Sequence, residues 1–369
     1  MLMKTIHGEP SFILETPELS LAVTERAGHH APIIFNLASG AVSPYSLSPW
    51  RPNQYEDKPA LLSVLRGDFF CFPFGGQANG PPHGHSANGK WELMSCGDRS
   101  LKLVQKAHES GACFEKNFSV ESDQYALYIE HKIAGIEGSY NYGSHPILDL
   151  SNLREGQGKI STSPFKWAST FCDTFSNPKM GERQSLAENA KFNDLSRVPL
   201  ATGETADISS YPARMGFDDL VMMVNEPASD AQPFAWSAVV FDSYVWFCLK
   251  NVMDFPATLL WFSNGGRSGE PWNDLHKARL GVEEVCSYFC KGVEESREAH
   301  LKIEGIPTVR HFNTNDRMSL KLIQAVAPVP PNFDMVSSIV PDGMSHILIS
   351  SNSGETVKSH INWGFIHAS

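Results

Sequence analysis

The chain has 369 residues, of which 41% are hydrophobic and 19% are charged, and its net charge is −11 at pH 7. This hydrophobic share is ordinary for a globular protein and permits a large core. The sequence contains no cluster of Lys or Arg, which argues against nucleic acid as a partner, and no apolar run of membrane-spanning length. Its first ten residues, MLMKTIHGEP, lack the apolar stretch of a secretion signal, so we expect a cytoplasmic protein.

The cysteines are seven in number, scattered, and without a Cys-x-x-Cys pair; they are Cys71, Cys96, Cys113, Cys172, Cys248, Cys286 and Cys290. An odd number at irregular spacing argues against a disulfide framework or a zinc site. Most of them stand in apolar segments, as Cys71 does among phenylalanines. We therefore interpret them as small buried hydrophobic residues in a reducing compartment.

The dominant hydrophobic period along the chain is two. Tyr125, Leu127, Ile129 and Ile133 alternate with other residues, as in half-buried strands, and 28 glycines and 24 prolines are spread between such segments. Two hairpins are predicted, one turning at 242–243 and one at 352–354. Helical signals are short and confined to 59–65 and 273–278. The pattern predicts an all-β protein.

Segment 172–216 is weakly patterned and rich in Asn, Ser, Pro and Gly. It is either a linker between domains or a long excursion between sheets. Because strand-like residues of the same character resume at Phe217, we prefer the excursion and a single domain over residues 1–369. Long loops of this kind are often functional.

The stretch 75–89 contains His83 and His85 among glycines and prolines, so it forms a loop. One interpretation is the rim of a pocket beside the aromatic residues that precede it; the other is a turn with exposed histidines. The His-x-His pattern also suggests a metal site. The next carboxylate, Glu92, is seven residues further on, which does not fit such sites, and no metal is predicted.

Three further segments place ionisable residues at or within apolar strands. His145 precedes a proline at the start of an apolar strand, and Asp218 opens another. Glu283 and Glu284 lie within a strand-like run, where they face opposite sides, so one can be solvated while the other points inward. An inward carboxylate needs a partner or a function. The alternatives are a strand-edge histidine with a backbone partner at position 145 and an ordinary turn at Asp218.

These segments, in this order, resemble the aldose 1-epimerase (galactose mutarotase-like) superfamily. The run from His83-Gly84 through Asn88 to Trp91-Glu92 is similar to the family signature His-Gly-Phe-Ala-Arg-Asn-x-x-Trp-Glu. The other matching elements are Phe72-Pro73-Phe74-Gly75, Ala78-Asn79-Gly80, His145-Pro146 with Leu148-Asp149-Leu150, Thr202-Gly203-Glu204, Gly216-Phe217-Asp218 and Leu280-Gly281-Val282-Glu283.

The resemblance implies a β-supersandwich of large antiparallel twisted sheets with few short helices. It implies an isomerase that interconverts the α and β anomers of an aldose by general acid–base catalysis, with no metal and no redox cofactor. Glu283 would be the base and His145 the acid. Substrate contacts would come from His83, Asp218, Gln77 and Asn79, with Trp91 as an apolar platform.

The sequence departs from the family at two arginines, which align with Gln77 and Ala87. A lost bidentate Arg is not replaced by Ala, so a free aldose is favoured over a phosphosugar. The same loss motivates the alternative of a non-catalytic sugar-binding or sugar-sensing protein. A lyase acting on acidic polysaccharide would need a basic groove, which the charge of −11 disfavours. The tail after Glu283 is longer than the family's, and we expect about 300–369 to add strands.

Overall fold

The computed structural model describes residues 3–106 and 111–368. In these residues the strands are β1 Met3–Ile6, β2 Glu9–Glu15, β3 Leu19–Thr24, β4 His30–Leu37, β5 Gly40–Val42, β6 Phe70–Cys71, β7 Glu92–Cys96, β8 Ser100–Lys106, β9 Cys113–Ser119, β10 Ala126–Ala134, β11 Gly138–Tyr140, β12 Tyr142–Ser144, β13 Ile147–Asp149, β14 Gly158–Thr162, β15 Phe165–Thr170, β16 Val198–Pro199, β17 Thr205–Ala206, β18 Ser210–Tyr211, β19 Phe217–Asn225, β20 Ala235–Val240, β21 Tyr244–Lys250, β22 Ala257–Asn264, β23 Arg279–Cys286, β24 Arg310–Phe312, β25 Arg317–Pro328, β26 Val336–Pro341, β27 His346–Ser351 and β28 Thr356–His360.

Two large antiparallel sheets form the body of the protein. The first has nine strands in the order β18-β14-β20-β21-β25-β10-β9-β8-β7. The second has seven, in the order β15-β19-β22-β23-β12-β6 with β13 also paired to β23. A five-stranded N-terminal sheet, β1 to β5, and a three-stranded C-terminal sheet, β26 to β28, are added to them. The all-β supersandwich predicted from the sequence is confirmed.

Both predicted hairpins are present, since β20 pairs with β21 and β27 pairs with β28. The helical signal at 59–65 corresponds to α1, Ala60–Ser63. Residues 273–278 form turns instead, because Asn273, Asp274 and Ala278 have positive φ. A second short helix, α2 at Val293–Arg297, had no sequence signal. Within the described residues no helix combines the length and apolar character that a membrane span needs.

The main core lies between the two large sheets. Leu260 of β22 and Val282 of β23 belong to one buried cluster with Trp246 of β21 and Leu322 of β25. The C-terminal sheet covers the other face of the nine-stranded sheet, where Ile349 packs in a second cluster with strands β20, β21 and β25. Segment 172–216 leads from β15 in one large sheet to β18 at the edge of the other.

Strand β23 has a carboxylate on each of its faces. Glu284 faces the main core, where it is fully buried and forms an ion pair with Lys250 of β21, which is also fully buried. Its oxygens accept hydrogen bonds from Ser237 Oγ at 2.6 Å and Thr258 Oγ1 at 2.7 Å. The expectation that one of the two adjacent glutamates is solvated is therefore corrected, because the second face of the strand is covered by the opposing sheet.

Removing one partner of this ion pair should destabilise the fold. We expect Lys250→Met to lower the free energy of unfolding by about 3–5 kcal/mol, because it leaves a buried carboxylate without its cation. The double variant Lys250→Met, Glu284→Gln should recover part of that loss. Urea denaturation followed by circular dichroism measures both.

The control is Lys4→Met, at the exposed ion pair between Lys4 and Glu15. We expect it to change the free energy of unfolding by less than about 1 kcal/mol. A double variant as unstable as Lys250→Met alone would show that the unpaired charge is not the cause.

Candidate functional site

A cavity of about 290 Å³ lies on the face of the seven-stranded sheet that points away from the main core. This volume is close to the lower end of the range for small-molecule sites. Apolar and aromatic side chains make up most of its wall, with four polar groups among them. The lining residues are Leu61, Leu62, Leu65, Phe69, Pro82, His83, His145, Phe175, Leu220, Trp261, Arg267, Trp272, Glu283 and Cys290. The predicted residues His83, His145 and Glu283 therefore meet in one cavity.

Glu283 reaches this cavity because side chains alternate along β23. Gly281, two residues earlier on the same face, leaves room for its carboxylate. A Cβ atom at position 281 would lie 2.8 Å from Glu283 Oε1 and 3.1 Å from Trp261 Cβ. Burial raises the pKa of Glu283 well above its ordinary value, and the positive charge of Arg267 opposes that rise.

His145 lies between β12 and β13, with its ring over the cavity. Its Nε2 is 3.3 Å from Glu283 Oε1. The ring stacks on Phe69, with centroids 4.6 Å apart, and meets the edge of Trp261 at 5.8 Å. Burial lowers the pKa of His145 to about 4. These contacts fix the imidazole beside the carboxylate.

Burial shifts the two pKa values in opposite directions, because it disfavours the charged form of each group. The directions of the two shifts favour a proton on Glu283 and a neutral His145. Two groups in contact titrate as a pair. The arrangement provides one proton donor and one proton acceptor side by side.

A fully buried carboxylate, Asp68, holds the backbone at His145. It accepts hydrogen bonds from the backbone N–H of His145 at 2.7 Å and from Ser144 Oγ at 2.7 and 2.8 Å. Gln324 Nε2 of the opposing sheet donates a third, at 2.6 Å. The sequence analysis missed Asp68, which stands in an apolar run without a recognisable motif; the only signal was a charge inside that run.

His83 forms one rim of the cavity. Its backbone has a positive φ of 60°, and its Nδ1 accepts a hydrogen bond from the backbone N–H of Gly75 at 3.3 Å. Its ring centroid lies 4.9 Å from that of Phe74 and 5.3 Å from that of His145. His85 is exposed instead. Of the two interpretations of this loop, the structure supports the pocket rim for His83 and the exposed turn for His85.

Asp218 lies behind the cavity wall and is not among the lining residues. Its carboxylate accepts hydrogen bonds from Ser263 Oγ at 2.9 Å and from the backbone N–H groups of Asn264 at 3.2 Å and Gly266 at 2.9 Å. Its Oδ2 is 3.3 Å from Nε of Arg267, which does line the cavity. The structure thus places Asp218 where it contacts the cavity only through Arg267.

The other three predicted substrate contacts are also outside the cavity wall. Gln77 Nε2 donates hydrogen bonds to the carbonyl oxygens of Phe74 and Gly75, both at 3.1 Å. Asn79 is exposed. Trp91 is fully buried and donates from Nε1 to the carbonyl oxygen of Ser86 at 3.1 Å. A side chain enclosed by the core cannot offer a ring to a ligand, so this assignment of Trp91 is corrected.

The aromatic surface of the cavity comes from other residues. Trp261 of β22 and Trp272 lie edge to face with centroids 5.9 Å apart, and Phe69 and Phe175 complete the wall. Phe175 belongs to the long segment 172–216, which gives that segment a place in the site. Neither Phe175 nor Arg267 lies in a motif, so the sequence offered no specific signal for them.

Within the described residues, no group of three or more His, Cys, Asp or Glu side chains has the arrangement of a metal site. The polar groups of the cavity are suited to proton transfer and hydrogen bonding, and its aromatic walls to stacking on an apolar face of a ligand.

Neither a family model nor a curated protein matches this sequence. Solved structures do. A putative aldose 1-epimerase from Escherichia coli K12 is 14% identical with a TM-score of 0.56, over 87% of this chain and 100% of that one. A GalM/aldose epimerase homologue from C. elegans is 13% identical with a TM-score of 0.57, over 87% and 100%. A galactose mutarotase related enzyme from Lactobacillus acidophilus is 11% identical with a TM-score of 0.54, over 86% and 97%. At these identities the likeness shows the fold, which is galactose mutarotase-like.

We expect Gly281→Ala to displace the Glu283 carboxylate, because the new methyl group would lie 2.8 Å from Oε1. The contact of 3.3 Å between His145 and Glu283 should then be lost. A crystal structure and the ¹⁵N shifts of the His145 ring measure the change.

Gly269→Ala is the matched control, since a methyl group there meets the carbonyl oxygen of Met180 at an ordinary 3.5 Å. It should leave the His145 ring shifts unchanged. Equal shifts in the two variants would contradict the role assigned to Gly281.

Proposed function

We propose that this protein, whose fold is galactose mutarotase-like, is an aldose 1-epimerase that interconverts the α and β anomers of a free sugar. The observation that carries the proposal is the contact of 3.3 Å between His145 and Glu283 in a cavity with aromatic walls. Anomer exchange requires one group that accepts a proton and one that donates a proton at the same time.

In the proposed reaction, Glu283 removes the proton from the C1 hydroxyl while His145 protonates the ring oxygen. The bond between C1 and the ring oxygen breaks, and C1 becomes an aldehyde carbon. After rotation about the C1–C2 bond the carbonyl presents its other face. The ring oxygen then attacks C1, His145 takes its proton back, and Glu283 returns the proton to O1. No proton or electron is gained or lost over the cycle.

The starting state of this reaction has an ionised Glu283 and a protonated His145. The directions of the two pKa shifts favour the other arrangement, with the proton on Glu283. A single proton transfer across their contact interconverts the two states. Because the reaction runs in both directions, each group must act in turn as acid and as base. The proposed reaction requires only that His145 and Glu283 share one proton between them.

The cavity favours a neutral aldose as the substrate. The aromatic wall offers apolar contact to the carbon side of a pyranose, and His83 stands beside His145 to hold a hydroxyl. Arg267 is the one cationic side chain among the described lining residues, and it faces the carboxylate of Asp218. A phosphate group would need further cations.

Loss of either member of the pair should abolish most of the activity. We expect Glu283→Gln and His145→Asn each to slow anomer interconversion by about 10²–10⁴-fold, the usual range for a general acid or base. Exchange NMR with D-glucose and D-galactose, corrected for the spontaneous reaction, measures the rates.

The matched controls are Glu92→Gln and His85→Asn, which change exposed residues of the same types outside the cavity. They should keep the parent rate. A parent protein that binds sugar but does not accelerate anomer exchange would favour the alternative of a sugar-binding or sugar-sensing protein.

The pH profile of kcat/KM should be bell-shaped, because the pair must hold one proton. On the acid side a second proton binds, and since burial lowers the pKa of His145 from 6.5 to about 4, activity should persist well below pH 6.5. On the alkaline side the pair loses its proton at a pH above the ordinary range of a carboxylic acid, because burial raises the pKa of Glu283. An acid limb centred near pH 6.5 would contradict this description of His145.

A further inference from the structure

Arg267 brings a positive charge into the wall of the cavity. It lies in the turn region after β22. Its guanidinium carbon is 5.2 Å from the ring centroid of Trp261, 4.8 Å from that of Trp272 and 5.5 Å from that of Phe175. Three aromatic rings thus restrict its position, and its side chain remains 19% exposed. A guanidinium held in this way is pre-organised to bind a ligand.

The N–H groups of Arg267 donate no side-chain hydrogen bond to the described residues. Two carboxylates lie near its Nε, Asp218 at 3.3 Å and Glu182 at 3.9 Å. Nevertheless Nε is buried without a hydrogen-bond partner among the described residues. A guanidinium carries five N–H donors in a planar fork. Arg214 also has buried donors without a hydrogen-bond partner among the described residues, so the position of Arg267 in the cavity wall, and not its free donors alone, distinguishes it.

Hydrogen bonds fix the position of the Asp218 carboxylate. It accepts hydrogen bonds from the turn that bears Arg267 and from Ser263 Oγ. His276 Nδ1 lies 2.7 Å from the same hydroxyl oxygen, and the His276 ring stacks on Trp261 at 5.4 Å. A buried carboxylate therefore sets the direction of the guanidinium from behind the cavity wall.

We propose that Arg267 is a substrate-binding residue that donates hydrogen bonds to adjacent oxygens of the sugar and holds them against the pair His145–Glu283, with Asp218 as its positioning residue. This inference rests on the proposed function and adds the sugar contact that Gln77 does not make. The ligand group that it recognises is a pair of neighbouring oxygens on a neutral sugar, since Asp218 already balances its charge.

The same arrangement couples Arg267 to the protons of the pair. The charged and titratable groups that act on the pair are Arg267, Cys71, Cys290 and Glu284 at Glu283, and Asp68, His83 and His276 at His145. Glu284 is on the opposite face of β23, where Lys250 pairs with it. Arg267 is thus the cation that faces Glu283 from the cavity side, and its removal should raise both pKa values of the pair.

The test compares Arg267→Gln with Arg214→Gln. Arg214 is a matched control, because it also stands beside an aspartate, Asp219 at 3.7 Å, and over an aromatic ring, Phe262, but does not line the cavity. We expect Arg267→Gln to lower kcat/KM by about 10–100-fold, as for the loss of charge-assisted hydrogen bonds. Both limbs of its pH profile should move to higher pH by about one unit or more. Arg214→Gln should keep the parent values.

Two more variants distinguish loss of the sugar contact of Arg267 from a general loss of folding. Arg267→Lys keeps the charge but not the fork, so the pH profile should stay near that of the parent while kcat/KM falls. Asp218→Asn should weaken sugar binding, with KM raised more than kcat is lowered. A parent-like kcat/KM and pH profile in Arg267→Gln, with Glu283→Gln inactive, would overturn this inference and leave the proposed function standing.

A parent protein without anomer exchange activity would overturn the proposed function. Two other measurements would then still test whether Arg267 binds the sugar. Saturation-transfer NMR with D-glucose and D-galactose should show weaker binding by Arg267→Gln than by the parent. Titration of the Glu283 carboxyl by ¹³C NMR should give a higher pKa in that variant. Unchanged sugar binding and unchanged titration together would overturn the inference.

Discussion

The site depends on the alternation of side chains along one strand. On β23, Glu284 is paired with Lys250 in the core between the sheets, and this places Glu283 on the opposite face. A slip of one residue would turn every side chain of β23 to the opposite face, so that Leu280 and Val282 would leave the main core. Such a register error is unfavourable, so the apolar residues of the core and the ion pair together hold the register in which Glu283 lies in the cavity.

Two polar groups of the cavity, His145 and Arg267, are each held by a buried carboxylate that lies behind the wall. Asp68 accepts the backbone N–H of His145 and also a hydrogen bond from Gln324 of the opposing sheet. Asp218 does the equivalent for Arg267 through the turn that follows β22. The geometry of the cavity is therefore tied to the packing of the two sheets, since the hydrogen bond from Gln324 to Asp68 crosses the main core.

The sequence predicted what depends on local pattern. Period-two alternation identified the strands and hairpins, and short motifs identified His83, His145 and Glu283, which meet in one cavity. It did not predict what depends on packing. Trp91 stands in the most specific motif, yet it is enclosed by the core. Gln77 bonds to its own loop, and Asp218 accepts hydrogen bonds from the turn that follows β22. Phe175 and Arg267 enter the site from irregular segments, where no periodicity indicates the direction of a side chain.

The charge balance of the cavity bears on whether a neutral or an anionic ligand fits it. Burial favours the uncharged forms of both His145 and Glu283, and Arg267 faces Asp218. A phosphosugar would bring an anion into a wall whose single described cation is already balanced, and the desolvation of that anion would go uncompensated. A neutral sugar meets no such penalty. In the proposed function, the apolar face of such a sugar would pack on the aromatic wall of the cavity, while its hydroxyls would bond to the polar groups that the buried carboxylates hold in place.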